Sequence, residues 1–314
     1  MSNAKGMHVD IRQAQAFLVN HLETEVSEVV LIGEGAWSRC FGFRWNDKEL
    51  AIRFGNHFED FRKDQLAYAY TTAGLPIPKV LDIGRAFDGY YAISTRVHGV
   101  PLETLSSTKW LAIVPLLVSV LEAMRTTDLS STLGFGGWGI EGKAPHLSWS
   151  SHLLAIGDDP PNHRTHGWRK RLATSSRGEA AFRWGFDLLK TVANDSVPRC
   201  LVHCDLINRN VLVHEDRISG VFDWGCSLYG DHLYELALFE FWAPWFPELN
   251  MHSLRSEVER RWRDVGYAPE DKEDRLTACY LHIGLDHLAY NAYLGDWPAV
   301  SETAERMRIV VTRG

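Results

Sequence analysis

Residues 203–226, HCDLINRNVLVHEDRISGVFDWGC, decide how the chain is interpreted. Asp205 precedes Asn210 by five positions, in a run of small and polar residues that would make a poor core. A second aspartate, Asp223, lies in FDWG after the strand-like ISGVF. The stretch therefore places two carboxylates and one amide in loops on either side of a hairpin. A role in the hydrophobic core does not explain these three polar side chains.

Phosphoryl transfer from ATP uses this set of groups. The reaction needs an acceptor hydroxyl held in line, a carboxylate that orients it and accepts its proton, and ligands for the magnesium that neutralises the phosphates. Asp205 is the candidate base, and Asn210 and Asp223 supply the hard oxygen ligands that magnesium prefers. A lone aspartate near a turn is usually a turn or cap residue. Here the base, the amide and the second carboxylate occur together, which favours the catalytic interpretation.

The composition is that of an ordinary soluble protein, with 45% hydrophobic and 23% charged residues in a chain of 314. This length is sufficient for two lobes. No run of 18 apolar residues occurs, so we expect no membrane span. The N-terminal MSNAKGM lacks the apolar core of a signal peptide, and Met7 is an alternative start. We therefore expect a cytoplasmic protein.

Charge and cysteine content narrow the choice of partner. The formal net charge of −7 disfavours a nucleic-acid binder, which needs a basic face, and suits a small cationic partner. The five cysteines are odd in number and form no C-x-x-C pair, which indicates reduced thiols. The spacing of Cys200, His203, Cys204 and His214 fits no standard zinc pattern. We expect a monomer.

The pattern along the chain changes character once. Short β-rich runs over residues 29–55 predict a hairpin, a helix is predicted from Phe58 to Thr72, and KVLDIG and YYAISTRV follow as strands. Beyond HGVPL, apolar residues recur at helical spacing. These include Trp110, Ile113, Val114, Leu117, Leu121 and Met124, then Phe182, Phe186, Leu189 and Ala193, then Leu281, Leu285, Leu288 and Ala292. The prediction is an α+β protein with a small β-rich lobe, residues 1–97, before a larger, mostly helical lobe, residues 98–314.

HCDLINRN followed by FDWG resembles the catalytic loop and metal-binding motif of the protein-kinase-like superfamily. LPIPKVLDIG, HGVPL, TLGFGGWG, FDWGCSLYGDHLYELA, FWAPW and IGLDHL extend the resemblance to the aminoglycoside phosphotransferase family, over roughly residues 11–295, and most strongly to its hygromycin-type branch. The resemblance implies a two-lobed, protein-kinase-like fold. It also implies ATP- or GTP-dependent, Mg²⁺-dependent phosphorylation of an aminoglycoside hydroxyl, with hygromycin B or a relative as substrate.

The resemblance assigns further nucleotide-site residues. Asp205 would be the base, Asn210 and Asp223 the magnesium ligands, and His203 a structural residue of the loop. IGEGAWSRCFGF would cover the phosphates, with Gly35 and Ser38, because glycine lets backbone N–H groups approach phosphate oxygens. Its Gly-x-Gly pattern alone is a weak signal. The following strand carries Arg53 where the superfamily has lysine, and Asp64 is either its partner or a solvated helix charge. Thr95 and Val97 would contact the adenine.

The resemblance locates the acceptor on the helical lobe, near the catalytic loop. Asn208, Trp242, Trp245 and Asp286 are the candidates for acceptor binding. Pro244 is expected to end the helix that carries the tryptophans. Tryptophans can stack on sugar rings, but at this spacing aromatic residues are more often core residues. Asp286 could face an ammonium group or be a solvated charge. Asp231 is interpreted first as an N-cap.

Three classes of function remain open from the sequence. The first is an aminoglycoside O-kinase. The second is a kinase of another hydroxylated metabolite, such as a macrolide, choline or a sugar amine, which would share every catalytic residue. The third is a nucleotide-binding relative without turnover, which the intact Asp205, Asn210 and Asp223 disfavour. A protein kinase is disfavoured because no A-P-E segment follows FDWG at the expected place.

Overall fold

The computed structural model of the chain describes residues 7–35 and 37–312. The first six residues, on which the expectation about the start of the chain rests, lie outside the described residues, as does Ala36 in the glycine-containing loop. The helices are α1 (Ile11–Leu22), α2 (Phe58–Ala67), α3 (Ser107–Arg125), α4 (Trp149–Leu154), α5 (Trp168–Leu172), α6 (Ser176–Val192), α7 (Leu233–Trp242), α8 (Met251–Asp264), α9 (Lys272–Leu294) and α10 (Trp297–Thr312).

The strands are β1 (Ser27–Glu34), β2 (Ser38–Trp45), β3 (Lys48–Gly55), β4 (Val80–Ala86), β5 (Gly89–Thr95), β6 (Val100–Pro101), β7 (Gly136–Gly137), β8 (Cys200–Val202), β9 (Val211–His214), β10 (Arg217–Val221) and β11 (Leu228–Gly230). Short 3₁₀ helices cover Tyr68–Tyr70, Leu102–Thr104, Ala155–Gly157, Trp224–Cys226 and Ala243–Trp245.

The described residues form two compact units. Unit 1 takes them from Met1–Thr104, Gly139–Gly142 and Asp205–Cys226, and unit 2 takes them from Leu105–Trp138, Lys143–Cys204 and Ser227–Gly314. Asp205 and the FDWG segment thus group by compactness with the N-terminal strands. A division by compactness need not follow the division into lobes, so the boundary after residue 97 stays a prediction.

The β-rich runs near the N-terminus form an antiparallel sheet in unit 1, in the order β1-β2-β3-β5-β4. The predicted hairpin is confirmed: β2 and β3 pair from Ser38↔Gly55 to Trp45↔Lys48, and Asn46 in the turn has a φ of 52°, which asparagine tolerates. Strand alternation sends Phe41, Phe43, Ile52 and Phe54 to one face, where they are buried with Ala14 and Leu18 of α1. The opposite face carries Cys40, Gly42, Ala51 and Arg53.

The motif stretch of residues 203–226 supplies a second, smaller sheet of unit 1. Strands β9 and β10 form the expected hairpin, and β9 also pairs with β6. Glu215 and Asp216 close the hairpin with φ values of 46° and 59°, as a tight two-residue turn requires. Because Asn210 directly precedes β9 and Asp223 lies two residues after β10, the hairpin holds both residues at one end.

The helical periodicities predicted for the rest of the chain are those of unit 2. On α3, Trp110, Ile113, Val114 and Leu117 are buried, and the Trp110 indole donates to the Asn250 carbonyl at 3.0 Å. By length and composition alone, α3 would also qualify as a membrane span, with a mean hydropathy of 1.4. The search of the sequence for a run of 18 apolar residues did not find α3, because polar residues interrupt the apolar sequence of this helix. Core helices of folded proteins pass the same test, and the burial of its apolar face accounts for its composition.

A buried ion pair ties the start of α7 to α9 within unit 2. Both carboxylate oxygens of Asp231 accept from Arg275, at 2.6 and 2.8 Å, and both side chains are almost completely buried. Asp231 Oδ1 also accepts from the Leu233 N–H at 3.0 Å, but the N-cap position of α7 is His232, so the predicted N-cap role of Asp231 is wrong by one residue. Such a fork-to-fork pair fixes the geometry of the helix entry.

Glu235 on α7 anchors the chain just before Asp205. Its buried carboxylate accepts the backbone N–H groups of His203 and Cys204, the latter at 2.8 Å. Its second oxygen, Oε2, is buried without a hydrogen-bond partner among the described residues. Burial raises the pKa of the Glu235 carboxyl to about 7, although the two N–H donors act in the opposite direction. His203 is fully buried, as expected of a structural residue.

We predict that Glu235→Gln becomes more stabilising, relative to the wild type, as pH rises from 5 to 8. The unfolded chain loses this proton near its ordinary pKa of 4.5, whereas the folded protein keeps it to about 7, so wild-type stability falls between these values. The unfolding free energy of Glu235→Gln minus that of the wild type should rise by about 2–3 kcal/mol over this pH range. Denaturant unfolding at both pH values measures it.

Glu257→Gln is the matched control for this prediction. Arg260 lowers the pKa of the Glu257 carboxyl below its ordinary 4.5, so the stability that this glutamate contributes is lost only at lower pH, and the difference between Glu257→Gln and the wild type should stay nearly constant from pH 5 to 8. A gap for Glu235→Gln that stays constant or narrows with pH would contradict the assignment of a proton to this carboxyl.

Candidate active site

Unit 1 encloses a cavity of about 550 Å³. One wall is the face of the sheet opposite the phenylalanine core, where Cys40, Ala51, Arg53, Ala92 and Ser94 line the space. The connection after β5 and the loop ends of the β9–β10 hairpin supply the remaining walls. The cavity therefore gathers segments that are far apart in the sequence, including Asn210 and Asp223.

The catalytic-loop candidate Asp205 is held by two amide side chains. Asn208 Nδ2 donates to Asp205 Oδ1, and Asn210 Nδ2 donates to Asp205 Oδ2 at 3.0 Å and to its main-chain oxygen at 2.8 Å. These bonds fix the plane of the carboxylate. Because the Asn210 amide nitrogen faces Asp205, its amide oxygen is left for another ligand.

Asn210 and Asp223 lie together at one end of the hairpin. The Phe222 N–H donates to the Asn210 carbonyl at 3.0 Å, and both Asn210 and Asp223 line the cavity. Asp223 has a φ of 64°, in the left-handed region that few residues other than glycine, asparagine and aspartate adopt. One carboxylate and one amide oxygen fit magnesium, which usually takes one or two protein ligands besides phosphate and water. Among the described residues, no group of three or more His, Cys, Asp or Glu side chains could hold a metal.

Arg53 links strand β3 to helix α2 and to Asp223. Its guanidinium pairs with Asp64 Oδ2 through Nη2 and lies 3.2 Å from Asp223 Oδ1 through Nη1. Asp64 Oδ1 accepts the Trp224 N–H at 2.7 Å, so the chain of contacts returns to the residue after Asp223. Burial raises the pKa of the Asp64 carboxyl and the Arg53 cation opposes that shift. The alternative interpretation of Asp64 as a solvated charge does not hold, since its side chain is 14% exposed.

The glycine-containing loop and the connection after β5 flank the cavity. Gly35 and Ser38 both line it, and the Gly35 N–H donates to the Ser38 carbonyl at 2.9 Å. Thr95 and Val97 line it at the other end. The Thr95 N–H donates to the Lys79 carbonyl at 3.0 Å, and the Thr95 hydroxyl accepts from the Lys79 N–H, also at 3.0 Å.

A family model described as the phosphotransferase enzyme family matches residues 54–271, more than half of the chain. The chain belongs to this family. The sequence and the structure of this phosphotransferase also resemble those of individual characterised proteins.

This phosphotransferase is 31% identical over 303 residues to a hygromycin-B 4-O-kinase of Escherichia coli, a match that covers 96% of this chain and 85% of the relative. The crystal structure of the aminoglycoside phosphotransferase APH(4)-Ia matches with a TM-score of 0.83 and 31% identity, covering 96% of this chain and 98% of that one. A thermostable mutant of APH(4)-Ia in ternary complex with AMP-PNP and hygromycin B matches with a TM-score of 0.81 and 31% identity, covering 95% and 97%. The predicted family and fold class are confirmed.

The acceptor candidates of the phosphotransferase divide between the units. Asn208 lies in unit 1, in contact with Asp205. In unit 2, the rings of Trp242 and Trp245 lie 5.0 Å apart, edge to face, and Trp242 is 4.6 Å from the His287 ring. Trp245 is 40% exposed and Asp286 is exposed beside His287 on α9. Helix α7 ends at Trp242, and Pro244 continues it only as a 3₁₀ turn. Neither tryptophan is fully buried, which favours a contact surface over a core.

Sequence reasoning missed several residues of the cavity and its support. Arg96, His98, Arg209 and Leu212 line the cavity. Arg96 lies directly between the predicted Thr95 and Val97, so the STRVHG segment carried a signal for it. Lys63 precedes the predicted Asp64 and is only 5% exposed. Glu235 gave no local signal, because its partners are more than 30 residues away.

Lys63 and Asp64 together hold the segment after Asp223. The Lys63 ammonium donates to the Gly225 carbonyl at 2.8 Å, while Asp64 accepts from the Trp224 N–H. Consecutive side chains of α2 thus bind a carbonyl and an N–H of adjacent residues. A Cβ on Gly225 would lie 3.1 Å from Asp60 Oδ1, so the segment also packs closely against the helix. These contacts hold Asp223 in its left-handed conformation.

We predict that Lys63→Met lowers the affinity for a magnesium–nucleotide complex by about 10-fold, equivalent to about 1.4 kcal/mol, because the segment that carries Asp223 loses a buried, charge-assisted hydrogen bond. Affinity for the metal-free nucleotide should change less, since Lys63 acts through the position of Asp223. Calorimetric titration with and without Mg²⁺ measures both. Arg62→Met on the same helix, whose guanidinium pairs with Gln65, is the control. Equal losses in both titrations would assign Lys63 a general structural role.

Proposed function

We propose that the chain transfers the γ-phosphoryl group of ATP, or of GTP, to a hydroxyl of an aminoglycoside, with hygromycin B as the first substrate to test. The observation that carries the proposal is the arrangement around Asp205. A carboxylate fixed by Asn208 and Asn210 lies in the same unit as a cavity lined by Asn210, Asp223 and Arg53. The similarity to a hygromycin-B 4-O-kinase supports the choice of acceptor.

In this proposal Asp205 is the general base. It orients the acceptor hydroxyl and accepts its proton as the oxygen attacks phosphorus, which requires an approach of about 2.6–3.2 Å. The two amide donors on its oxygens hold the carboxylate in one orientation, which reduces the entropy lost on reaching the reactive geometry.

Asn210 and Asp223 would hold Mg²⁺ through the amide oxygen and a carboxylate oxygen. Bound there, the ion neutralises phosphate charge. Burial lowers the pKa of Arg53, but the carboxylates of Asp64 and Asp223 raise it. Arg53 therefore stays a cation at the same end of the cavity. It is a second source of positive charge for the phosphates. Gly35 and Ser38 cover the phosphates of the nucleotide. Thr95 and Val97 contact its purine ring through their backbone groups.

Trp242, Trp245, Asp286 and Asn208 are the proposed acceptor residues. Exposed indole faces can stack on sugar rings, and Asp286 offers a carboxylate to an ammonium group. The net charge of −7 should help gather a polycation from solution. We further propose a cytoplasmic monomer that acts without nucleic acid or membrane partners.

A panel of acceptors with ATP or GTP and Mg²⁺, followed by identification of the modified hydroxyl, tests the proposed function. We expect phosphorylation of hygromycin B or another aminoglycoside, with a KM that rises with salt because the exposed charge contacts are screened beyond about 8 Å at physiological ionic strength. Asp286→Asn should raise KM and change kcat less, as expected for lost uniform binding.

Asp205→Ala is the control variant in the same assay. Turnover should fall by about 10²- to 10⁴-fold, the usual contribution of a positioned base, while nucleotide affinity is retained. Full activity in this variant would exclude Asp205 as the base. Turnover of a neutral or singly charged alcohol with no aminoglycoside as substrate would contradict the acceptor class and leave the kinase assignment in place.

A further inference from the structure

Arg96 contributes a guanidinium to the wall of the cavity. The residue is half-buried and lines the cavity after β5. Its backbone N–H donates to the Glu49 carbonyl at 3.3 Å, but within residues 7–35 and 37–312 its side chain has no hydrogen bond or ion pair. Arg53, in the same cavity, has two carboxylates. An unpaired guanidinium in a concave site is a group available to a ligand.

The guanidinium lies flat against the backbone of β2. A Cβ built on Gly42 would lie 2.7 Å from Arg96 Cζ and 2.8 Å from Nη1, and the three nearest atoms all belong to Arg96. Gly42 has no left-handed φ, so its backbone does not require glycine. The missing side chain is therefore what lets the arginine lie at this position.

Gly42 belongs to a row of small side chains that crosses the sheet. It is opposite Ala51 on β3, which in turn is opposite Ser94 on β5, and both of these residues line the cavity. Such a row lets a flat ring approach the backbone closely. The row that contains Arg53 lies two residues along β2, on the order of 7 Å away. The Arg96 guanidinium thus lies toward the connection after β5, away from the proposed phosphate end.

We propose that Arg96 binds the purine ring of the nucleotide, with its guanidinium stacked on the face of the ring. Guanidinium groups are planar, weakly hydrated and stack on aromatic faces. A carboxylate partner would hold the group away from the ring, which agrees with the missing ion pair. The cation also lies close enough to Cys40, on the same face of β2, to oppose the rise in its thiol pKa to about 11 that burial causes. The inference rests on the proposed use of a purine nucleotide and is independent of the acceptor.

Calorimetric titration of the full-length protein with a nucleoside and its diphosphate, without acceptor, tests the role. Adenosine with ADP, or guanosine with GDP if the protein prefers guanine, are the probes. Arg96→Met should raise both Kd values by the same factor, about 2- to 30-fold, the range of cation–π contacts. Gly42→Ala should act in the same direction because the new methyl group displaces the guanidinium. Arg96→Lys, which keeps the charge but not the plane, should restore only part of the affinity.

Arg44→Met is the matched control, since Arg44 is on the same strand, pairs with Glu28 and Glu49, and does not line the cavity. Its Kd values should equal those of the wild type. Unchanged nucleoside binding in Arg96→Met and Gly42→Ala would overturn the proposal. Loss confined to the diphosphate would assign Arg96 to phosphate and also overturn it. If Arg96→Met does not fold, Arg96→Lys and Gly42→Ala give the same comparison. A wild type that binds no purine nucleotide would instead contradict the proposed function.

Discussion

The double ion pair of Arg53 is the constraint on which the rest of the site depends. One guanidinium pairs with the largely buried Asp64 on α2 and with the more exposed Asp223 after β10, two carboxylates that would otherwise repel each other. Its two terminal nitrogens lie in one rigid plane and point in different directions, so a single arginine can bind both carboxylates. The ammonium group of a lysine is a compact point charge and lacks this fork. The same pair locates Asp223 relative to the sheet, and the guanidinium stays charged between the two carboxylates. The sheet, helix α2 and the segment that carries Asp223 are therefore held together by one side chain.

Strand alternation gives the N-terminal sheet two different tasks. Phe41, Phe43, Ile52 and Phe54 form the core with α1, while their neighbours Cys40, Gly42, Ala51 and Arg53 face the cavity. A shift of one residue in the pairing of β2 with β3 would exchange the two sets. The burial of four large side chains therefore protects the register, and with it the cavity wall. Stability and the composition of the cavity wall are coupled through this pairing.

The sequence predicted the features that are local. Asp205, Asn210 and Asp223 could be found because a loop, a short hairpin and a second loop bring them together over few residues, and the helical stripes of unit 2 follow from a simple period. The Arg53–Asp64 pair was one of two open interpretations, and only the fold decides it. Contacts such as Lys63 with Gly225, 162 residues apart, leave no local pattern. The position of the Arg96 side chain depends on a glycine of another strand, which periodicity does not reveal.

Metal-dependent nucleotide binding in Asp223→Ala tests most directly whether the cavity is a magnesium–nucleotide site held as described. A non-hydrolysable ATP analogue would be titrated with and without Mg²⁺ into the wild type and the variant, with Glu59→Ala on α2 as the control. The account predicts that Mg²⁺ strengthens binding to the wild type and the control, and that this gain disappears in Asp223→Ala while metal-free binding is kept. A gain that persists in Asp223→Ala, or equal loss with and without the metal, would contradict it.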